Sequence, residues 1–362
     1  MNYDDLIRPH LLNQSVYKPG RPIEHVARDY GLDPDSVIKL ASNENPLGPS
    51  PLAQAAAQGA LENAHFYPDG DCWLLREKVA AVRGIEPEEL IFGCGSNEIF
   101  EFLGHLFLGP GVEVVMGAES FPVYKLITLM FNAHPVEVPM PDYKHDLKAM
   151  LAAITPRTRL VFLPSPNNPT GTANTAKEIY AFVRQLPEHV VFVFDEAYAE
   201  YLKNPPDLRP FIKAESKIIC TRTFSKIYGL AALRLGYGYG SKRLMDLLNR
   251  VRQPFNVNGI AQSAGLAAIE DDDFLKMSRR QNRRGLVQLT EGLQNMGLDP
   301  VPSKANFLLV KIPQAEKIVH YLQTRGVIVR IIPSFPDHLR ISVGTATQNS
   351  KLLEALSISL EG

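Results

Sequence analysis

The sequence is poor in cysteine and tryptophan, and it has no excess of charge of either sign. Its three cysteines, Cys72, Cys94 and Cys220, lie far apart and form no Cys-x-x-Cys pair. We therefore expect reduced thiols in a cytoplasmic protein rather than a disulfide framework. Nine histidines without metal-ligand spacing predict no metal site. A formal net charge of −1 gives no reason to expect nucleic acid as a partner.

Long apolar runs are also missing. No stretch approaches the roughly 18 residues that cross a bilayer, so we expect no membrane partner. The first residues lack the basic and apolar regions of a secretory signal, which again favours the cytoplasm. Hydrophobic content of 45% and charged content of 21% are ordinary for a globular protein. The length of 362 residues exceeds one average domain and predicts two lobes.

Short apolar strands alternate with amphipathic helices over most of the chain. Continuous runs such as Val190–Phe194 are typical of strands that are buried on both faces of a sheet. The pattern predicts an α/β fold in which a large, mostly parallel sheet is followed by a smaller α+β domain. We expect an N-terminal arm at 1–45 that packs on the small domain and a partner, a large domain at 46–255, and a small domain at 256–362.

The most informative stretch is the segment that contains Lys226. The apolar run 217–220 is expected to be a buried strand, and it leads into three hydroxyl residues and the lysine. A lysine at a strand exit can lose enough solvation to become neutral, and a neutral amine is what Schiff-base chemistry requires. Thr223, Ser225 and Arg234 can donate to a phosphate beside that amine. A bare Ser-Lys pair is usually a solvated loop, so this interpretation depends on the rest of the chain.

Three further loops carry polar residues where predicted strands end. Ligands of open parallel sheets bind at the carboxyl ends of the strands, so these loops are expected to meet. Asp195, after a buried strand, can bond a ring nitrogen, while Tyr198 and Asn168 can bond a ring oxygen. The turn 95–97 opens a helix and offers its amides to an anion. Alone, each loop has a plainer explanation, such as a helix cap or a turn.

In their order along the chain, these motifs resemble those of the fold-type I pyridoxal-phosphate aminotransferases. Asn-Pro-Thr-Gly begins at Asn168, Asp-x-x-Tyr at Asp195 and Ser-Lys at Ser225, with an arginine eight residues after the lysine. The resemblance covers essentially the whole chain and implies a seven-stranded type of large sheet, with pyridoxal 5′-phosphate as the cofactor. The catalytic residues that it implies are Lys226, Asp195 and Tyr198. The implied cofactor site consists of Gly95, Ser96, Asn97, Phe121, Asn168, Asp195, Tyr198, Thr223, Ser225, Lys226 and Arg234.

The resemblance leaves one cofactor contact open and implies a second subunit. Phe121 is expected to stack on the cofactor ring, although Tyr124 competes for the same role. Tyr67, in the turn Tyr-Pro-Asp-Gly, resembles the tyrosine that binds the cofactor phosphate of the partner subunit. We therefore expect a homodimer with composite active sites.

Several stretches resemble the histidinol-phosphate aminotransferase branch of this family. They lie at 17–22, at 40–49, and at 326–330 with 339–344. This branch exchanges an amino group between L-histidinol phosphate and 2-oxoglutarate in histidine biosynthesis, giving imidazole-acetol phosphate and glutamate. Arginine suits both substrates, because a guanidinium binds phosphate as well as carboxylate. The expected substrate-binding residues are Tyr17, Asn45, Asn168, Arg330 and Arg340.

Two alternatives on the same scaffold stay open at this point. An aromatic amino-acid aminotransferase uses the same machinery with one carboxylate-binding arginine and an apolar pocket. A phosphothreonine-type decarboxylase needs the substrate carboxylate perpendicular to the cofactor ring, which a sequence does not display. A cofactor-sensing regulator is not expected, because it needs a basic DNA-binding module of roughly 60–100 residues.

Overall fold

The two larger sheets, of seven and four strands, and the helices that cover them form a large and a small lobe. The computed structural model describes residues 2–12, 14, 16–17, 19–212 and 216–361. Lys18, within one of the stretches that carry the resemblance, lies outside the described residues. Across the part of the chain described, no helix is long and apolar enough to span a membrane.

The described strands and α-helices alternate along the chain from residue 90 to residue 195. The strands are β1 (Ile38–Lys39), β2 (Leu90–Cys94), β3 (Glu113–Gly117), β4 (His134–Val138), β5 (Thr158–Pro164), β6 (Val191–Asp195), β7 (Ile218–Thr223), β8 (Leu235–Gly240), β9 (Pro300–Val301), β10 (Phe307–Lys311), β11 (Val327–Ile328), β12 (Arg330–Ile332) and β13 (Phe335–Ser342). The helices are α1 (Ile23–Tyr30), α2 (Pro51–Leu61), α3 (Trp73–Arg83), α4 (Ser96–Phe107), α5 (Pro122–Met130), α6 (Leu147–Ala152), α7 (Ala176–Val183), α8 (Lys242–Asn249), α9 (Gly259–Glu270), α10 (Asp272–Asn295), α11 (Ala315–Thr324) and α12 (Ala346–Glu361).

The large sheet has seven strands in the order β2-β8-β7-β6-β5-β3-β4. All neighbours from β7 to β4 pair in parallel, whereas β8 is antiparallel to both β7 and β2. Helices α2, α3, α6, α7 and α9 cover one face, and α4, α5 and α8 cover the other. Strands buried on both faces must be apolar on both, which explains the continuous apolar run of β6. The predicted α/β fold with a mostly parallel seven-stranded sheet is confirmed.

The small lobe contains a four-stranded antiparallel sheet in the order β12-β13-β10-β9. Helices α11 and α12 and the second half of α10 pack on it around a separate apolar core. The N-terminal arm also joins this lobe, because β1 pairs in parallel with β11 and α1 packs beside that pair. The part of the arm between 23 and 41 therefore packs on the small lobe.

The packing of α9 and α10 bears on the boundary between the lobes, which the sequence analysis expects at residue 256. Helix α9 contributes Ala261, Ala264 and Ala268 to the core of the large lobe, because small side chains allow close packing against α2. Helix α10 begins in that same core at Leu275 and reaches the small-lobe core at Leu289. We therefore propose a boundary within α10 rather than at residue 256.

Four charged side chains form a cluster that is buried in the large lobe. Arg222 contacts Glu196 at 2.9 Å and Glu200 at 2.8 Å, and Arg83 contacts Glu200 at 3.1 Å. Two positive and two negative groups balance one another, as burial of charge requires. The cluster lies on the opposite face of the sheet from Asp195, directly after the paired ends of β6 and β7. It therefore ties together two strand ends that carry candidate site residues.

Replacing Arg222 with methionine is expected to lower the free energy of unfolding by about 3–5 kcal/mol, because Glu196 and Glu200 stay buried without their main partner. Urea denaturation at fixed protein concentration measures the change. Arg284, which is exposed on α10, provides the control: Arg284→Met should change that free energy by less than about 0.5 kcal/mol. Equal unfolding midpoints for both variants would contradict the assigned role of the cluster.

Candidate active site

A cavity of about 220 Å³ lies where the strand ends of the large sheet face the small lobe. The loops after β5, β6 and β7 reach it together because parallel strands end at the same edge of a sheet. The small lobe adds residues of β12 and β13. The predicted site residues that line the cavity are Tyr17, Ser96, Asn97, Phe121, Asn168, Asp195, Tyr198, Thr223, Ser225, Lys226, Arg234, Arg330 and Arg340.

Lys226 follows β7 and presents its amine to the cavity. Its Nζ lies 3.3 Å from the carbonyl oxygen of Ser42 and 5.8 Å from the centre of the Tyr198 ring. Burial, assisted by the positive charges of Arg340 and Arg234, lowers the pKa of Lys226 to about 8. A fraction of this amine is therefore neutral near pH 7 and can act as a nucleophile or a base.

Asp195 is the last residue of β6 and is buried behind the cavity. Its Oδ2 accepts from the Tyr124 hydroxyl at 2.6 Å, and its Oδ1 accepts from the Ala197 amide at 3.1 Å and the Thr221 hydroxyl at 3.2 Å. Burial raises the pKa of Asp195 to about 6, although these hydrogen bonds oppose the rise. Among the described residues Asp195 forms no ion pair. A cationic atom of a ligand would therefore find a buried counter-charge here.

Tyr198 and Asn168 bring neutral donors to the same region. Asn43 Nδ2 donates to the Tyr198 hydroxyl at 3.0 Å, and burial raises the pKa of Tyr198 to about 12. The hydroxyl therefore keeps its hydrogen and can donate it to a ligand oxygen. Asn168 Oδ1 accepts from Arg340 Nη1 at 2.7 Å, which orients the Asn168 side chain so that its amide nitrogen can donate to a ligand.

The N-terminus of α4 forms a seat for an anion. Gly95 precedes the helix with φ of 78°, and a Cβ there would lie 2.5 Å from Nη2 of Arg234. A Cβ on Gly236 would lie 2.4 Å from the amide nitrogen of Ser96. Glycine at both positions therefore lets the helix start meet the guanidinium, which also donates to Ser225 Oγ at 3.3 Å. Backbone amides, a hydroxyl and a guanidinium that converge in this way suit a phosphate.

The two aromatic residues that compete for a ring-stacking role have different environments. Tyr124 is fully buried, and its ring stacks on that of Phe162 with the centroids 4.4 Å apart. Its hydroxyl is committed to Asp195. Phe121 is half-buried and packs edge-on against Tyr124 with centroids 5.6 Å apart. Tyr124 lines the cavity as Phe121 does, but one face of its ring is covered by Phe162, which leaves Phe121 the more available for contact with a ligand ring.

Two arginines reach the cavity from the small lobe. Arg330 and Arg340 lie directly opposite each other in the pairing of β12 with β13. The Arg330 guanidinium lies 6.0 Å from the centre of the Tyr17 ring. Arg340 donates to Asn168 and to the Ala41 carbonyl, and its Nε is buried without a hydrogen-bond partner among the described residues. Like charges opposite each other repel, so an anionic group between them would be stabilised.

Asn45 was expected to bind the substrate, but the structure places it outside the cavity lining. Its side chain does not line the cavity, because Nδ2 donates to the Ile227 carbonyl at 2.7 Å and to the Ser278 hydroxyl at 2.9 Å. The cavity is lined instead by Ser42 and Asn43, which the sequence analysis did not single out. The stretch 40–49 contains both asparagines, but a turn has no periodicity that shows which of them faces a site.

Gly95 and Tyr67 also lie outside the cavity lining. Gly95 is directly behind the anion seat, where its lack of a side chain is what matters. Tyr67 is 83% exposed and stacks on Phe255 with the ring centroids 4.9 Å apart. A residue that completes the site of a second subunit is expected to be exposed in one chain, so this position is compatible with the predicted role.

The whole chain is similar to known proteins. The family described as aminotransferase class I and II matches residues 35–356. The histidinol-phosphate aminotransferase of Methylobacillus flagellatus is 47% identical over 344 residues, which cover 94% of this chain and 93% of that protein. The enzyme of the same name from Akkermansia muciniphila is 42% identical over 359 residues, covering 98% and 99%. The crystal structure of histidinol-phosphate aminotransferase from Sinorhizobium meliloti in complex with pyridoxal 5′-phosphate aligns with a TM-score of 0.91 at 26% identity, covering 98% of this chain and 97% of that one.

Proposed function

The chain belongs to the aminotransferase class I and II family, and we propose that it transfers the amino group of L-histidinol phosphate to 2-oxoglutarate. The products are imidazole-acetol phosphate and glutamate, and the reaction belongs to histidine biosynthesis. The observation that carries the proposal is the pair Arg330 and Arg340, which face each other at the cavity that holds Lys226. Two guanidinium groups in one cavity fit a substrate with a phosphate better than one with an apolar side chain.

We infer that pyridoxal 5′-phosphate is the cofactor, because the donor set of the cavity fits it. Asp195 offers a counter-charge to a protonated ring nitrogen, and Tyr198 and Asn168 offer donors to a ring oxygen. The anion seat at the start of α4, with Arg234, offers donors to the phosphate. When bound, this cofactor withdraws electrons from the substrate carbon that carries the amino group, which makes the hydrogen on that carbon acidic.

Lys226 would hold the cofactor through its amine, and the same amine is placed to move protons at the substrate carbon. In its neutral form, Nζ would take the proton from the substrate carbon as a general base and return it as a general acid. Its lowered pKa suits both roles, since the amine must exchange its proton near neutral pH. Asp195 and Tyr198 stay fixed by their hydrogen bonds and hold the ring in place. The first product leaves before the second substrate enters the same cavity, so ping-pong kinetics follow.

The two arginines of the small lobe serve both substrates. L-histidinol phosphate brings a phosphate, and glutamate brings carboxylates, and the guanidinium fork accepts either anion. Tyr17 lies beside Arg330 at the cavity and adds a hydroxyl donor for the phosphate. One binding region can therefore accept two chemically different partners in turn.

An assay of glutamate formation from 2-oxoglutarate tests this function against the aromatic alternative. We expect kcat/KM with L-histidinol phosphate to exceed that with phenylalanine or tyrosine by at least about 10²-fold, because only the phosphate can engage both arginines fully. The opposite preference would assign the chain to the aromatic aminotransferases. Release of carbon dioxide from a phosphorylated amino acid, without glutamate formation, would instead identify a decarboxylase.

We also propose a homodimer in which Tyr67 completes the phosphate seat of the neighbouring subunit. The support is an exposed aromatic surface: Phe66 is 67% exposed, Trp73 is 60% exposed and Phe255 is 47% exposed. A protein that stays monomeric rarely leaves so many large apolar side chains in water close to one another. A second copy of the chain would cover them.

Replacing Tyr67 with phenylalanine is expected to raise the Kd for pyridoxal 5′-phosphate by about 10- to 150-fold, because a hydrogen bond to a charged group contributes about 1.5–3 kcal/mol. Fluorescence titration of protein freed of cofactor measures the Kd, and sedimentation establishes the oligomer. Tyr3, which is 87% exposed, supplies the control variant Tyr3→Phe, for which no change is expected. A monomer in sedimentation, or equal Kd values for both variants, would rule out the composite site.

A further inference from the structure

A hydrogen bond joins the two lobes beside the cavity through residues that the proposed reaction does not use. The hydroxyl of Tyr143, in the large lobe, lies 3.0 Å from Nε2 of His338 on β13. The other ring nitrogen, Nδ1, lies 2.6 Å from Oδ1 of Asp337. Lys311 and His338 lower the pKa of Asp337, so its carboxylate is ionised and accepts from Nδ1–H. In the neutral ring Nε2 is then the acceptor for the Tyr143 hydroxyl.

The backbone at Tyr143 is held in an unfavourable conformation. Asp142 has φ of 51° and Tyr143 has φ of 60°, so two consecutive residues with side chains occupy the left-handed region. Each costs free energy and is retained only where surrounding contacts compensate for it. The Tyr143 ring makes such contacts with Phe335 and His338 of the small lobe, at centroid distances of 5.6 and 5.7 Å. The turn is thus shaped to meet β13.

The same turn is connected to the loop that carries Asn168. Thr172 Oγ1 donates to the Tyr143 carbonyl at 2.7 Å and shares a hydrogen bond of 2.8 Å with Thr170. Asn167 donates to Thr170 at 2.9 Å, and the next residue, Asn168, accepts from Arg340. These contacts tie the Tyr143 turn and the Asn168 loop into one hydrogen-bonded unit of the large lobe.

Arg340 and His338 lie on the same face of β13, because side chains two residues apart in a strand point the same way. Two bonds between the lobes, from Tyr143 to His338 and from Asn168 to Arg340, therefore fasten one strand to one unit of the large lobe. Loss of the first bond leaves Arg340 held to the large lobe at fewer points. Substrate binding then has to order the Arg340 guanidinium, which is held less firmly in its binding position before the substrate arrives.

We propose that Tyr143 and His338 are positioning residues, which fasten β13 to the large lobe and so hold the Arg340 guanidinium in place for the substrate anion. The role of Arg340 rests on the proposed function, whereas the contact between the lobes does not. The proposal assigns no chemical step to either residue, since neither lines the cavity.

The test compares Tyr143→Phe with a matched control in the holoenzyme. Tyr143→Phe keeps the ring contacts and removes only the hydroxyl. The control, Tyr30→Phe, removes a hydroxyl that lies 3.1 Å from Nδ1 of His320, between α1 and α11 and away from the cavity. For Tyr143→Phe we expect hydrogen exchange over 335–342 to become about threefold faster and KM for L-histidinol phosphate to rise about 5-fold, as for the loss of one hydrogen bond. The kcat of Tyr143→Phe should stay within about twofold of the wild type. The control Tyr30→Phe should change neither the exchange rate over 335–342 nor KM.

The exchange and kinetic results separate the possible failures. Exchange over 335–342 that is equal in both variants would overturn the proposal, because the hydroxyl would not fasten the strand. Faster exchange with an unchanged KM would also overturn it, because Arg340 would not depend on the contact. The enzyme could also fail to use L-histidinol phosphate while Tyr143→Phe shows faster exchange and a raised KM for an anionic amino acid. That result would support the positioning role and contradict the proposed function. The double variant Tyr143→Phe/His338→Gln should add less than about twofold to the change in KM, since both substitutions break one contact.

Discussion

Replacing Lys226 with alanine is expected to lower kcat by about 10⁴-fold or more, because the variant would lose the amine proposed both to hold the cofactor and to move the proton. Among the described residues that line the cavity, no other side chain can replace the amine. The other basic side chains that line the cavity are arginines, and a guanidinium group does not give up its proton. Glutamate formation from 2-oxoglutarate, measured with excess cofactor, gives the rate.

Two companion variants make this result specific. Lys226→Arg keeps the positive charge but cannot give up its proton, so it should be nearly as inactive as alanine. Lys177, exposed on α7, is the control, and Lys177→Ala should retain normal activity. Substantial turnover by Lys226→Arg would contradict the assignment of proton transfer to this amine, since arginine preserves charge and hydrogen bonding alone.

Replacing Arg340 with alanine is expected to raise KM for both L-histidinol phosphate and 2-oxoglutarate by about 10²–10³-fold, because each loses charge-assisted hydrogen bonds. The substitution also leaves Asn168 without the donor that orients it. Steady-state kinetics with either substrate varied measures the two KM values. Arg340→Lys should fall between the wild type and alanine, since an ammonium supplies the charge without the fork.

The control for Arg340 is an arginine of the same lobe that is exposed at the end of α11. Arg325→Ala should leave both KM values within about twofold of the wild type, as expected for an exposed charge. A KM that rises for only one substrate in Arg340→Ala would show that the two anions bind at different arginines. An unchanged KM for both would remove Arg340 from the substrate site.

Much of the fold follows from local patterns. The apolar run that ends in Asp195 predicts a strand buried on both faces, and the alternation of such runs with helices predicts a mostly parallel sheet. Because parallel strands end at one edge, the loops with Asn168, Asp195 and Lys226 could be expected to meet before any coordinates were known. The structure places all three residues at one cavity.

Other features depend on contacts that no local pattern reveals. Whether Asn43 or Asn45 faces the cavity is set by the Ile227 carbonyl and Ser278, which lie far away in the sequence. Helix α9 could pack on either lobe, since an alanine-rich surface fits many neighbours. The bond between Tyr143 and His338 joins residues 195 positions apart and has no sequence signal. Contacts between residues that are distant in the sequence depend on how the whole chain packs.

The most direct test of the proposed function compares L-histidinol phosphate with L-histidinol as amino donors for the wild-type enzyme. The two molecules differ only in the phosphate, so the ratio of their kcat/KM values isolates recognition of that group. We expect a ratio of about 10³ in favour of the phosphate ester, corresponding to roughly 4 kcal/mol from Arg330, Arg340 and Tyr17. A ratio near one would contradict the account, because the paired arginines would then contribute nothing to the choice of substrate.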